Sequence, residues 1–239
     1  MKNSKNGKMN SEIIKKLNEI KDENYAEFSA KLITTVPKDC VLGVRIPKLR
    51  ILAKGLVREN EYKKFLREKH TFHEEKLLHG FLLGYGVFSI EELIEEIESF
   101  LPQVDNWAVC DLTASSLKSV RKNSDIFYEK IKIWLKSGKT YTVRFAIVLL
   151  INYYLDEKFD KSIFEELLEI ESDEYYVNMA LAWYFSFALI KKYDETIRLF
   201  EEKIIKSEYV FNKTIQKARE SYRISDERKK YLYELKKRR

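Results

Sequence analysis

The feature that most restricts the fold is a repeat. Four apolar segments recur in the second half of the chain: NWAVCD from Asn106, TVRFAI from Thr142, YVNMAL from Tyr176 and VFNKTI from Val210, at spacings of 36, 34 and 34 residues. Each opens an apolar helix. Each is followed by a more charged, amphipathic helix, over Asp125 to Lys136, Ser162 to Ile170, Asp194 to Ile205 and Asp226 to Lys237. A single helix pair cannot bury its own apolar surface, so neighbouring pairs must stack. The helix that is apolar nearly all round becomes the inner one, and its amphipathic partner faces solvent. The expected fold is therefore all-α: an α-α superhelix, or solenoid, of HEAT-like helical repeats. Such stacks curve, and their concave faces bind extended partners.

The first half fits the same plan. Helical periodicity runs over Ser11 to Ile20, Tyr25 to Ile33, the segment opening at Pro47, Glu61 to Lys69, His73 to Val87 and Ile90 to Leu101. Pro47 suits a first helical turn, because its fixed φ is already helical. Ser89 with Glu92 three residues later is a capping-box pattern. Only 7 Gly and 3 Pro occur in 239 residues, too few turn-formers for a sandwich or barrel. No stretch rich in Pro, Gly or Ser divides the chain. The expectation is a disordered start over 1–10 and one continuous domain over 11–239.

Charge and cysteines narrow the setting. The net charge is +6, but residues 206–239 alone carry 12 Lys and Arg against 5 Asp and Glu, which leaves the remainder near −1. A basic end on a near-neutral body suits an anionic polymer, although a solvated Lys-rich helix gives the same pattern. Cys40 and Cys110 are far apart and form no CxxC pair, so a reduced, intracellular location is expected. The opening MKNSKNGKMNSE has no apolar core of a signal peptide. No run of apolar residues is long enough to span a bilayer.

Several familiar motifs fail. His73-Glu74-Glu75-Lys76-Leu77 lacks the second histidine of HExxH, and ordinary surface or capping roles are expected for His70, His73 and His79. Gly80, Gly84 and Gly86 lie in an apolar helix and form no phosphate loop; close helix packing is the simpler reason for them. Neither a metal nor a cofactor is called for.

What stands out is a set of polar and indole residues inside the apolar helices. Trp107 and Asp111 are four apart, on one helical face. Arg144 lies in the next apolar helix and Trp183 in the one after. An Asp–Arg pair between repeats with two Trp packed as core would explain them equally well.

Asp105-Asn106-Trp107 with Asp111, Arg144 within TVRFAIVLL and Trp183 within NMALAWYFSFAL resemble the DNA alkylation repair enzymes, the AlkD-type HEAT-like-repeat DNA glycosylases. GVRIPKLRILAK (Gly43 to Lys54) and NKTIQKARESYRIS (Asn212 to Ser225) are also similar to segments of that family, and the resemblance runs over nearly all of the chain after Tyr25. It implies a glycosylase that removes purines alkylated at N3 or N7 from duplex DNA, in base excision repair, without cofactor or metal. Asp111 would stabilise the sugar cation and place the attacking water. Trp107 and Trp183 would pack against the lesion nucleotide, and Arg144 would contact a phosphate or hold Asp111 ionised. The family's lesion need not enter a deep pocket. Phosphate contacts are expected at Arg45, Lys118, Arg121, Lys122, Lys213, Lys217, Arg219 and Arg223, with Lys118, Arg121 and Lys122 continuing the Asp111 helix. Tyr25 and Phe28 are candidates for an N-terminal DNA contact. Some members carry paired Trp where this chain has Asn106-Trp107, and some relatives bind DNA without excision. The partner implied is double-stranded DNA containing alkylated bases, met by a cytoplasmic, nucleoid-associated monomer that is not at a membrane. The alternatives are a non-catalytic DNA-binding paralogue and a protein–protein scaffold.

Overall fold

A computed structural model describes residues 3–60 and 62–238, with side chains from residue 11. Of the disordered start expected over 1–10, residues 1 and 2 and the side chains of 3–10 lie outside the described residues, while the backbone of 3–10 belongs to the first helix. The described residues form fourteen α-helices and no strand, the all-α helical-repeat class expected. The contacts gather in two compact units, 1–122 and 123–239.

Unit 1 holds α1 (Asn3–Ile20), α2 (Glu23–Leu32), α3 (Ile46–Arg58), α4 (Tyr62–Leu66), α5 (His73–Tyr85), α6 (Ile90–Phe100) and α7 (Trp107–Ser116). Its inner row is α3, α5 and α7, with α5 packed against both neighbours. In α5 every residue from His73 to Leu83 is buried, and His70 is buried beside it, which corrects the expectation of surface or capping histidines: all three are core residues. Gly80 and Gly84 let α7 approach closely. A Cβ at Gly80 would stand 1.9 Å from Thr113 Oγ1, and one at Gly84 would stand 2.6 Å from the Ser116 carbonyl. Gly86 ends α5 as its C-cap and also permits a close approach, since a Cβ there would stand 2.7 Å from the Tyr62 ring. Pro47 lies in the first turn of α3, and Ser89 caps α6 reciprocally with Glu92, both bonds at 3.1 Å.

Unit 2 holds α8 (Ser124–Leu135), α9 (Thr140–Tyr153), α10 (Ser162–Leu168), α11 (Tyr175–Lys191), α12 (Tyr193–Glu201), α13 (Glu208–Glu220) and α14 (Asp226–Lys237). Here α9, α11 and α13 form the inner row, with α11 against both others. Residues Thr142 to Ile151 of α9 are all buried. The outer partners bury one face only: Ile163, Phe164 and Leu167 in α10, and Leu232 in α14. The alternation of apolar and amphipathic helices read from the repeat is therefore the alternation of inner and outer helices. Among the described residues no helix is long and apolar enough to cross a membrane, and no group of three or more His, Cys, Asp or Glu could hold a metal ion.

Candidate functional site

The first turn of α7 is fixed by a buried polar network. Asn106, fully buried, is the N-cap, and its Oδ1 accepts the Val109 N–H at 3.0 Å. Its Nδ2 donates to Asp105 Oδ1 at 2.9 Å and to His73 Nδ1 at 3.3 Å. His73 must therefore be neutral with Nδ1 as an acceptor; its burial depresses the imidazole pKa to about 4, against the opposing pull of Asp105. Lys76 of α5 is ion-paired with Asp105. The Asp105 carbonyl accepts the Thr35 hydroxyl at 2.7 Å. A capping Asn before an apolar run is a readable N-terminus signal. The α5 partners are not readable: His73, 33 residues from Asn106, and Lys76, 29 residues from Asp105.

Trp107 opens α7 and is half-buried. It packs against Ala30, Ile33, Val36, Val41 and Ala108, and its Nε1 donates to the Leu32 carbonyl at 3.1 Å. The indole is therefore held by α2, an N-terminal element whose part in the site the sequence left open. Asp111 follows one turn later on the same side of α7 and is half-exposed. Tyr25 and Phe28 stack at 6.2 Å on α2, and Phe28 is 56% exposed.

α7 stops at Ser116. Leu117 leaves the helix with φ −79° and ψ 64°, and Lys118–Arg121 form a 3₁₀ turn. Lys118, Arg121 and Lys122 thus do not continue the Asp111 helix, which corrects that expectation. Leu117 and Val120 are fully buried, and seating them requires the chain to bend there. The three cations are exposed. Arg45 is the N-cap of α3, paired with Asp22 at 2.9 Å and lying 4.7 Å from the Tyr25 ring.

The remaining expected residues are in unit 2. Arg144 is 5% exposed and donates Nη1 to the Tyr176 carbonyl at 3.0 Å, with its guanidinium 5.9 Å from the Tyr176 ring, so it ties α9 to α11. Trp183 is half-exposed on α11, edge-to-face with Phe187 at 5.9 Å. Lys213 and Lys217 are half-exposed one turn apart on α13, which is joined to α11 by the Thr214 hydroxyl on the Ala182 carbonyl at 3.4 Å. Arg219 and Arg223 are exposed, and Arg219 lies 4.5 Å from the Tyr233 ring. A row of tyrosines that the sequence reading passed over links the starts of the three inner helices. Tyr141 meets Tyr176 at 5.6 Å, Tyr176 meets Tyr175 at 5.2 Å, and Tyr175 meets Tyr209 at 6.3 Å. Two cavities in unit 2, of about 510 and 540 Å³, include none of the expected site residues in their walls.

In unit 1 the arrangement presents a carboxylate beside an anchored indole on a rigidly capped helix. In unit 2 it presents a half-exposed indole with cations on the adjacent helix. No curated protein and no solved structure matches the chain. The sequence profile described as DNA alkylation repair enzyme matches residues 13–215, a span that takes in both units and the residues of both inner rows up to Ile215. The chain belongs to the DNA alkylation repair enzyme family.

Proposed function

We propose that this protein is a DNA glycosylase that hydrolyses the N-glycosidic bond of N3- or N7-alkylated purines in duplex DNA. The observation that carries the reading is the pairing on α7 of half-exposed Asp111 with Trp107, whose indole is fixed by the Leu32 carbonyl. An alkylated purine is cationic and already a good leaving group, so little acid assistance is needed. The developing positive charge on the sugar needs a negative group held nearby, and a water must be placed to attack it. A carboxylate on a capped helix does both at little reorganisation cost. No second carboxyl acid of the glycoside-hydrolase type is required. Trp107 supplies an apolar, electron-rich wall for the deoxyribose. Trp183, Lys213 and Lys217 are proposed to bear on the same class of partner from unit 2, and Arg144 acts by fixing the start of α11.

Purified protein should release N3-methyladenine or N7-methylguanine from methylated duplex DNA in an assay calibrated with an active glycosylase. Salt-dependent DNA binding without release would select the second reading, a non-catalytic DNA-binding member. That reading has one observation in its favour: Asn106, where some members carry a second Trp, is wholly buried as a cap and offers no indole to a nucleotide.

A further inference from the structure

Arg50 and Lys54 stand one turn apart on α3, within the GVRIPKLRILAK segment, and the site above gives neither a role. Both rest on aromatic rings of α5. The Arg50 guanidinium carbon is 4.4 Å from the centroid of the Phe81 ring, and its Nη1 donates to the Tyr85 hydroxyl. Lys54 Nζ is 5.7 Å from the Tyr85 ring. Phe81 is fully buried, so the surface under Arg50 is a fixed floor.

Among the described residues neither cation lies within ion-pair distance of a carboxylate. Their neighbour Arg45 differs, being paired with Asp22 at 2.9 Å. An aromatic face holds a cation in place without cancelling its charge. A guanidinium so held presents its remaining N–H groups as a preorganised fork, a geometry that matches phosphate oxygens. The row also has a firm backing, because α5, which carries both rings, is pressed against α7 through Gly80 and Gly84.

We propose that Arg50 and Lys54, with the Tyr85 hydroxyl, form a phosphate-binding pair that grips the backbone of duplex DNA. The inference rests on the reading that duplex DNA is the partner. It adds α3 and α5 of unit 1 to the surfaces that meet it.

The test uses the full chain and a labelled, undamaged DNA duplex, with the dissociation constant measured across a range of salt concentrations. Each phosphate contact adds about 0.9 to the slope of log affinity against log salt, so R50Q and K54Q should each lower its magnitude by about 1 and the double variant by about 2. R50K keeps the charge but not the fork. It should keep the wild-type slope and bind more weakly at every salt concentration. If R50Q does not fold, K54Q still decides, because that side chain is exposed. An unchanged slope in the double variant, or in K54Q alone, overturns the proposal.

The outcomes separate the two claims. A wild type that releases alkylpurines while the double variant keeps its slope overturns the phosphate pair and leaves the glycosylase reading standing. A wild type that releases no base while the slope falls as stated does the reverse. A wild type without salt-dependent binding overturns both.

Discussion

Glu74 is 1% exposed, and its carboxylate holds the turn that enters α3: Oε1 accepts from Gly43 at 2.7 Å and Val44 at 3.3 Å, and Oε2 from Leu42 at 2.9 Å. Burial raises its pKa, and the backbone N–H groups oppose that rise without cancelling it. Gly43 has φ +84°, and a Cβ there would stand 2.3 Å from the Asp22 carbonyl, so no other residue fits the turn comfortably. Glu74→Ala should strand three backbone donors and destabilise the protein by about 3 kcal/mol or more in urea unfolding. The histidines make a second prediction. His70 and His73 are both depressed to about 4, by burial first in each case. Between pH 4 and 6.5 the unfolded chain therefore binds more protons at these sites than the folded one. Their contribution is fully present above about 6.5 and is lost as pH falls toward 4, with a slope of at most about 1.4 kcal/mol per pH unit for each. Glu74, raised by burial, works in the opposite sense in the acid part of this window. His73→Gln should flatten the fall in thermal midpoint between pH 6.5 and 4; a profile as steep as wild type would contradict the assignment of a neutral, buried His73.

At the scale of elements, the packing of α5 on α7 is what sets Trp107 and Asp111 in place. Gly84→Ala would drive a methyl group against the Ser116 carbonyl, a backbone atom that cannot swing aside. We expect a cost of about 1–3 kcal/mol in thermal unfolding, with base release reduced more than DNA binding, because α7 is the element displaced. Asn106→Ala removes the cap and should cost about 1 kcal/mol. A release rate unaltered by Asn106→Ala would mean that the cap does not serve the site.

The helices themselves were legible in the sequence. TVRFAI and YVNMAL lie within α9 and α11 because buried inner helices need apolar residues on every side, a pattern that composition alone betrays. The glycines of α5 were legible as contact points for the same reason. The break at Leu117 was not, since it follows from where Leu117 and Val120 must be seated. Arg144 was visible as a charge in an apolar helix, but its partner, a backbone carbonyl 32 residues on, leaves no mark in the sequence. The bond from Trp107 to Leu32 spans 75 residues and is equally silent.

On the scale of the whole molecule, the proposed function requires charge to govern the encounter with DNA. The basic excess of residues 206–239 coincides with α13 and α14, while Arg50 and Lys54 lie in unit 1. Binding to undamaged duplex should weaken more than tenfold between 50 and 200 mM salt, as expected when several phosphates are neutralised. The Lys213→Gln, Lys217→Gln double variant should lower the salt slope by about 2. The central claim concerns one carboxylate. The most direct measurement is alkylpurine release from methylated duplex DNA by wild type and Asp111→Asn, with binding followed in parallel. The account predicts release by wild type, near-complete loss in Asp111→Asn and little change in affinity for DNA. Equal release by the two proteins would contradict it.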